Sequence, residues 1–264
     1  MTAVAAIGVD AGSTAFKLVA IDAAGVILSA SIEPAHPKLE AQAERLLALV
    51  RARFPEAEAA PLVATGYGRK RIPARAAVTE ITCHARGSFF HLKRPHLLID
   101  VGGQDTKAIR VGAEGEVLDF AMNDKCAAGT GRFLEVILAR LAVPLAEVAL
   151  HTAGAEPAVT VSNTCTVFAE SEVVSLLAEG APLEGVLRGL HESLASRVAQ
   201  LAGRFVDDPR IGLSGGVALN PAMRAALTVA VGRPIEVVPD PQLVGALGAA
   251  LSALLTKAGN PATR

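Results

Sequence analysis

Two cysteines occupy matching positions in this 264-residue chain. Cys126 precedes a turn of small residues and then a helical pattern, and Cys165 follows Ser-Asn-Thr and precedes a second helical pattern. The free N–H groups at a helix start favour negative charge, so a thiolate or an anionic cluster suits both places. Their separation of 39 positions (165 − 126) is neither that of a CxxC pair nor that of a zinc finger. Since a cubane iron–sulfur cluster usually needs four cysteine ligands, two such chains related by a two-fold axis would supply them.

A buried structural thiol is the alternative for either of these cysteines taken alone, and it is the prediction for the third. Cys83 lies in the helical pattern TEITCHARG. A third ligand per chain would break the count of two ligands from each of two chains. The matched pair Cys126 and Cys165 would suit such a cluster, and Cys83 is predicted to be a buried structural thiol.

A second kind of chemistry is indicated by an Asp-x-Gly turn that occurs twice, each time between two predicted strands. The two stretches read GVDAGSTAFKL and DVGGQDTKAI, and neither is a GxGxxG or a GxxxxGK[ST] loop. Glycine lets the backbone approach a phosphate closely. Either turn alone is an ordinary structural turn, but two of them facing each other would hold a polyphosphate from both sides. The matched residues are Asp10 with Asp100, Gly12 with Gly102, and Lys17 with Lys107.

A third glycine turn follows a predicted strand near the C-terminus. Its sequence is Ser-Gly-Gly-Val-Ala-Leu-Asn, from Ser214 to Asn220. Adjacent glycines would let the backbone pack against a flat nucleobase or a ribose. A plain strand–helix turn is the alternative interpretation.

The elements that must position these residues alternate between strands and helices, which predicts an α/β fold. Apolar runs predict strands at 4–9, 16–21, 26–32, 62–64, 97–101, 108–111, 211–213 and 235–238. Helical spacing of apolar residues predicts helices at 39–53, 79–90, from 132 onward, and at 167–177, 183–205 and 242–255.

The composition excludes several classes of function. The chain is 51% hydrophobic and 19% charged with a formal net charge of −1, which gives no electrostatic basis for binding nucleic acid or an acidic membrane. The N-terminus lacks the basic region of a signal peptide, and no run of about 18 apolar residues predicts a transmembrane helix. We therefore expect a cytoplasmic protein.

Five stretches in one order carry a resemblance to a known family: GVDAGSTAFKL, DVGGQDTKAI, NDKCAAGTGRF, SNTCTVFAESEV and LSGGVALNPAM. The chain resembles the ATPase activators of 2-hydroxyacyl-CoA dehydratases, which share a family with the ATP-binding subunits of benzoyl-CoA reductase. The resemblance covers about residues 4–255 and includes TGYGR and TEITCHA.

The resemblance implies the actin-like ATPase fold of sugar kinases, Hsp70 and actin, with a nucleotide cleft between two RNase H-like lobes. We expect the lobes at 1–95 and 96–264, the second carrying the cluster ligands. It also implies a homodimer bridged by one 4Fe–4S cluster, with ATP, ADP and Mg²⁺ as further cofactors. Such a protein takes an electron from a ferredoxin or flavodoxin and uses ATP to deliver it to a partner 2-hydroxyacyl-CoA dehydratase.

Roles carry over to individual residues through the matched motifs. Asp10 and Asp100 would order Mg²⁺ through water, and Gln104 would orient the attacking water. The β-phosphate would contact Gly12, Ser13 and Thr14, the γ-phosphate Gly102, Gly103 and Gln104, and the adenosine Gly215 and Gly216. Lys17, Asp105, Gly129 and Gly131 complete the predicted cofactor-binding residues, and Cys126 and Cys165 would ligate the cluster.

Two alternatives remain open from the sequence. One is the ATP-binding subunit of a benzoyl-CoA reductase, and the other is a sugar-kinase-like ATPase without redox work. The cysteine pair argues against the second, because such an enzyme has no need of it. Cys126 lies only 24 positions after Gly102 (126 − 102), so nucleotide binding has a short covalent route to the cluster ligand. The sequence does not identify the acyl-CoA used by the partner.

Overall fold

The computed structural model describes residues 3–152, 157–162, 165–205, 207–208 and 210–257. Within these residues the strands are β1 (Ala6–Ala11), β2 (Ala15–Ile21), β3 (Ile27–Pro34), β4 (Leu62–Thr65), β5 (Ala76–Ala77), β6 (His96–Val101), β7 (Thr106–Val111), β8 (Val117–Asn123), β9 (Ile211–Ser214) and β10 (Glu236–Val237). The helices are α1 (Leu39–Arg53), α2 (Glu80–Leu92), α3 (Gly131–Arg140), α4 (Val148–Thr152), α5 (Thr166–Ala178), α6 (Leu183–Ala202), α7 (Pro221–Val231) and α8 (Val244–Lys257).

The two sheets repeat one strand order. The first sheet runs β3-β2-β1-β4-β5 and the second, read from its far edge, runs β8-β7-β6-β9-β10. In the first sheet β1 pairs antiparallel with β2 and parallel with β4. In the second sheet β6 pairs parallel with β9, the counterpart of β4. The duplication expected from the Asp-x-Gly turns therefore extends to the topology of both sheets.

Two compact units are present. The first contains residues 3–95, 111–118 and 238–257 of the described chain. Strand β1 is buried throughout: Ile7 and Val9 belong to the apolar cluster formed with α1, whereas Ala6 belongs to the cluster formed with α8. Because successive side chains of a strand point to opposite faces, a strand covered on both faces reads as a continuous apolar run.

The second unit contains residues 96–110 and 119–237, apart from the positions outside the described chain. Its largest apolar cluster joins β6 and β9 to α3, α5, α6 and α7. Half of the 20 residues of helix α6 are buried, and a helix of this length spans about 30 Å, roughly the diameter of a small domain. The expected division into lobes at 1–95 and 96–264 stays a prediction.

Most predicted elements are present, and the structure contains further elements that the sequence did not predict. The helix predicted at 39–53 is confirmed as α1. The helix predicted at 183–205 corresponds to α6 and the 3₁₀ turn that follows it, Gly203–Phe205. The sequence did not predict β8, in which Leu118 and Phe120 are exposed, so the strand lacks an inward–outward alternation. It also did not predict the short helix α4.

Within the described residues, none of the helices combines the length and the apolar character that crossing a membrane requires. The expected frayed tail, from Lys257, lies almost entirely outside the described residues.

Candidate functional site

The first Asp-x-Gly turn joins β1 to β2 and keeps Asp10 in the interior of its unit. Asp10 is the sheet partner of Lys17, whose ammonium donates a hydrogen bond of 2.9 Å to the Asp10 carboxylate. Asp10 is buried, whereas Ser13 in the turn is exposed and Gly12 and Thr14 are partly exposed. The turn therefore presents three small residues to solvent next to a buried, charge-paired carboxylate.

The second turn, between β6 and β7, repeats this pairing and adds to it. Lys107 Nζ lies 3.3 Å from Asp100 Oδ2 and 2.8 Å from Asp105 Oδ2. Ser214 Oγ donates to Asp100 Oδ1 over 2.7 Å. Asp100 and Lys107 are buried, and Gln104 at the tip of the turn is exposed. One buried ammonium thus faces two carboxylates.

The structure extends the repeat to a second pair of segments, which the sequence did not align. Thr65 is the register partner of Asp10, and Ser214 is the register partner of Asp100. Each hydroxyl residue is followed by a glycine with positive φ, +87° at Gly66 and +89° at Gly215. A Cβ at Gly66 would lie 2.4 Å from Asp10 Oδ1, and one at Gly215 would lie 2.2 Å from the carbonyl oxygen of the residue after Asp100. Glycine is required at both places because the backbone is left-handed and tightly packed there.

The signal for this second repeat was present as Thr-Gly in TGYGR and Ser-Gly in LSGG, each at the end of a predicted strand. Two residues are too few to align without knowing which strands are neighbours. Ser214 is therefore a partner of Asp100 to which the sequence assigned no role, whereas Lys107 had been matched to Lys17 without a role of its own.

The turn after β9 is held by a buried histidine. Gly215 is partly exposed and Gly216 is exposed, and both lie at the start of a 3₁₀ turn, Gly216–Leu219. His191 Nδ1 lies 2.7 Å from the Leu187 carbonyl oxygen, and its Nε2 lies 3.0 Å from Asn220 Nδ2. Burial lowers the pKa of His191, so a neutral ring donates at Nδ1 and accepts from Asn220 at Nε2. Asn220 in turn caps α7 through its Oδ1.

The three cysteines lie in two different environments. Cys126 and Cys165 are exposed, and Cys83 is fully buried. Cys165 is the residue that precedes the first turn of α5, and Cys126 precedes a 3₁₀ turn, Ala127–Gly129, that leads into α3. The Asn123 side chain brackets Cys126, donating to its carbonyl oxygen over 2.9 Å and accepting from its N–H over 3.2 Å. The prediction that Cys83 is buried is confirmed.

The two exposed thiols are the side chains whose chemistry suits an iron–sulfur cluster. Within the described residues, no three His, Cys, Asp or Glu side chains are placed together to hold a metal ion. Cys165 stands directly before α5, where the positive partial charge of a helix start favours an anionic ligand, whereas the 3₁₀ turn separates Cys126 from α3. A four-thiolate cluster would thus draw two ligands from each of two copies. Asn163 and Thr164, which precede Cys165, lie outside the described residues.

The reactivity of the cysteines should follow this difference in burial. In iron-free folded protein, we expect Cys126 and Cys165 to be alkylated rapidly by N-ethylmaleimide near neutral pH and Cys83 to be protected. The thiolate is the nucleophile, and burial raises the pKa of Cys83 to about 12, so at neutral pH that residue is a protonated, inaccessible thiol. Mass spectrometry should count two fast adducts, and a third after denaturation. Rapid labelling of all three in the folded protein would contradict the assignment.

The Cys126 loop is hydrogen-bonded to the second Asp-x-Gly turn. The Gly131 N–H donates to the Gly102 carbonyl oxygen over 2.8 Å, and the Arg132 N–H donates to that of Gly103 over 2.9 Å. From the start of β7, the hydroxyl of the first strand residue donates to the Gly129 carbonyl oxygen over 2.6 Å. Gly129 and Gly131, predicted as cofactor-binding residues, therefore lie against the predicted phosphate turn. These hydrogen bonds join the turn to the Cys126 loop more directly than the stretch of chain between them does.

Comparison with known proteins gives a match along nearly the whole chain. The model of the BadF/BadG/BcrA/BcrD ATPase family matches residues 7–253. The (R)-2-hydroxyglutaryl-CoA dehydratase activating ATPase of Acidaminococcus fermentans is 40% identical over 94% of this chain and 96% of its own length. The solved structure of the activator of the 2-hydroxyisocaproyl-CoA dehydratase from Clostridium difficile, with bound ADPNP, is 37% identical. It covers 98% of both chains with a TM-score of 0.88.

More distant likenesses bear on the alternatives. A benzoyl-CoA reductase polypeptide of Thauera aromatica is 31% identical over 65% of this chain and 63% of its own length. A ROK family glucokinase from Streptomyces griseus is 16% identical, with a TM-score of 0.54 over 93% of this chain and 97% of its own. The glucokinase likeness shows the fold alone, and it agrees with the predicted actin-like ATPase fold.

Proposed function

Because this chain belongs to the BadF/BadG/BcrA/BcrD ATPase family, we propose that it is the activator of a 2-hydroxyacyl-CoA dehydratase. In this proposal the protein is an ATPase that couples ATP hydrolysis to one-electron reduction of the dehydratase. The observation that carries the proposal is the pair of exposed thiols, one before α5 and one in the loop that leads to α3, in a chain similar over 94% of its length to a dehydratase-activating ATPase.

The proposed cofactors follow from the residues that would hold them. Cys126 and Cys165 of two copies would bind one 4Fe–4S cluster, which supplies one-electron redox chemistry when bound. Carboxylate oxygens and water are the ligands that Mg²⁺ prefers. Because the carboxylates of Asp10 and Asp100 already accept hydrogen bonds from lysines, we propose that they contact Mg²⁺ through its bound water molecules. A ferredoxin or flavodoxin would be the electron donor.

The phosphate chemistry would use the two Asp-x-Gly turns. Gly12, Ser13 and Thr14 would bind the β-phosphate, and Gly102 and Gly103 the γ-phosphate. Exposed Gln104 has the freedom to orient an attacking water, and the lysines would hold their carboxylates in place rather than bind phosphate directly. Exposed Gly216 and its neighbour Gly215 would contact the adenosine.

The ATP-binding subunit of a benzoyl-CoA reductase is the second candidate. The 31% likeness to the Thauera aromatica reductase polypeptide supports it over about two thirds of the chain, whereas the likeness to the activating ATPase is higher and nearly complete. A sugar kinase is disfavoured because an exposed cysteine pair has no use in phosphoryl transfer to a sugar.

The proposal predicts that ATP and ADP leave the cluster in different states. With protein purified anaerobically, we expect ATP to raise the rate at which an iron chelator removes iron from the reduced cluster, or to alter the cluster's spectrum. The expected factor is about fivefold or more over ADP, since coupling free energies between sites are typically about 1–3 kcal/mol. ADP with aluminium fluoride tests the transition state, and nucleotide-free protein is the control.

Binding of the partner dehydratase should also differ between the ATP-bound and ADP-bound states. The ATP-bound dimer is expected to bind the dehydratase more tightly than the ADP-bound dimer, because a ligand shifts an equilibrium only by its different affinity for the two states. Identical chelation rates, spectra and partner affinities with ADP, ATP and ADP–aluminium fluoride would refute nucleotide gating.

A further inference from the structure

The buried hydroxyl of Thr130 joins the predicted phosphate turn to the loop that carries Cys126. Thr130 Oγ1 lies 3.0 Å from the Gly103 carbonyl oxygen and 2.8 Å from the Ala127 carbonyl oxygen. Thr130 has no exposed surface. Gly103 belongs to the turn between β6 and β7, and Ala127 is the residue next to Cys126.

Thr130 stands directly before α3, and its hydroxyl is used in an unusual way for that position. Thr130 precedes the first residue of α3 with extended backbone angles, φ −137° and ψ 171°, where a threonine side chain ordinarily accepts a hydrogen bond from the first turn of its helix. Thr130 forms no such capping bond. Its hydroxyl is instead directed to two carbonyl groups that belong to different functional segments.

A hydroxyl has a single proton and can donate it fully to only one carbonyl at a time. The Thr130 hydroxyl proton is therefore shared between the carbonyl oxygens of Gly103 and Ala127. A displacement of Gly103 changes how strongly the proton is bonded to each of them. If Gly103 moves to bind a phosphate, the proton passes to Ala127 and strengthens that bond. One proton with two acceptors offers two alternative arrangements, and an element of this kind can transmit a small displacement.

We infer that Thr130 is a positioning residue that transmits the position of the Gly103 backbone to the Cys126 loop. The inference rests on the proposed function, in that Gly103 is proposed to bind the γ-phosphate and Cys126 the cluster. It assigns a share of the coupling between them to one hydroxyl group in the second unit, beside the backbone hydrogen bonds that join the same two segments.

The substitution Thr130→Val tests this with little disturbance of the fold. Valine has the shape of threonine and lacks only the hydroxyl. The two carbonyl groups keep other donors, since the Arg132 N–H bonds to Gly103 and the Thr130 N–H bonds to Ala127 over 3.0 Å. Thr130→Ser keeps the hydroxyl and should restore the behaviour of the unchanged protein. Thr228→Val is the matched control, because its exposed hydroxyl also donates to a carbonyl, that of Arg224 in α7.

The readout is amide hydrogen exchange of residues 126–132 in the full chain with ADP and with ADPNP, measured with and without iron. In the unchanged protein, Thr130→Ser and Thr228→Val, we expect ADPNP to change exchange in this segment by about fivefold, the effect of one net hydrogen bond on an equilibrium. In Thr130→Val we expect most of this difference between the two nucleotides to be lost. Iron content should be retained and ATP hydrolysis should stay within about twofold of the unchanged protein, because the Arg132 N–H still holds the Gly103 carbonyl and the Thr130 N–H still holds that of Ala127.

Two results would overturn the inference: a full nucleotide response in Thr130→Val, or no response of this segment in the unchanged protein. A protein that binds no iron but shows the response and loses it in Thr130→Val would contradict the proposed function and leave the role of Thr130 intact. The two failures are therefore distinguishable.

Discussion

Replacement of Cys126 or Cys165 by alanine is expected to remove essentially all iron and visible absorbance from the anaerobically purified protein. Each chain offers two exposed thiols, so the loss of either leaves a pair of chains with two of the four thiolates that a cubane cluster needs. Exposed backbone N–H groups at the helical starts stabilise a bound anion but do not replace a metal–sulfur bond. We therefore expect the loss to be nearly complete rather than partial.

Cys83→Ala is the matched control for the ligand substitutions. It removes a sulfur that is fully buried in the apolar cluster between α2 and α8. This variant should retain iron and absorbance, with a free energy of unfolding lower by about 1 kcal/mol for the small cavity. Iron assay, absorbance spectra and circular dichroism of the three variants separate loss of ligand from loss of fold. Retention of a full cluster after removal of Cys126 would show that the ligands are other residues.

Asp10→Asn and Asp100→Asn are each expected to lower Mg²⁺-dependent ATP hydrolysis by at least about tenfold, the scale of losing one charge-stabilising group. Asparagine keeps the size of the side chain but removes the negative charge that we propose orders the hydrated Mg²⁺. Lys107 keeps Asp105 as a partner in Asp100→Asn, and the Lys17 side chain keeps access to solvent in Asp10→Asn. Both variants should therefore fold.

The measurement is the steady-state rate of phosphate release at saturating Mg²⁺ and ATP, with nucleotide affinity determined separately. Asp119→Asn is the matched control, because that exposed carboxylate pairs with Arg204 at the surface and should be dispensable. Full activity in both Asp10→Asn and Asp100→Asn would remove these carboxylates from the proposed Mg²⁺ site, whatever the effect on the cluster.

The sequence by itself determined the local features on which these predictions depend. Apolar spacing predicted α1, α2 and the strands that carry the Asp-x-Gly turns, because a helix or strand imposes its own period on buried positions. The repetition of Asp10, Gly12 and Lys17 as Asp100, Gly102 and Lys107 was visible because each set lies within eight residues. The order of the motifs was sufficient to indicate the family.

The tertiary structure alone decided which distant residues meet. The register of β6 with β9 brings Ser214 to Asp100 across 114 positions, and strands so far apart in the chain have no connecting turn to fix their register. The same holds for the hydroxyl of Thr130, whose partner Gly103 is set by the packing of α3 beside the turn rather than by spacing. The different roles of Cys83 and the other two cysteines were predicted from their motifs, and the structure added the physical difference, because only Cys83 is packed away from solvent.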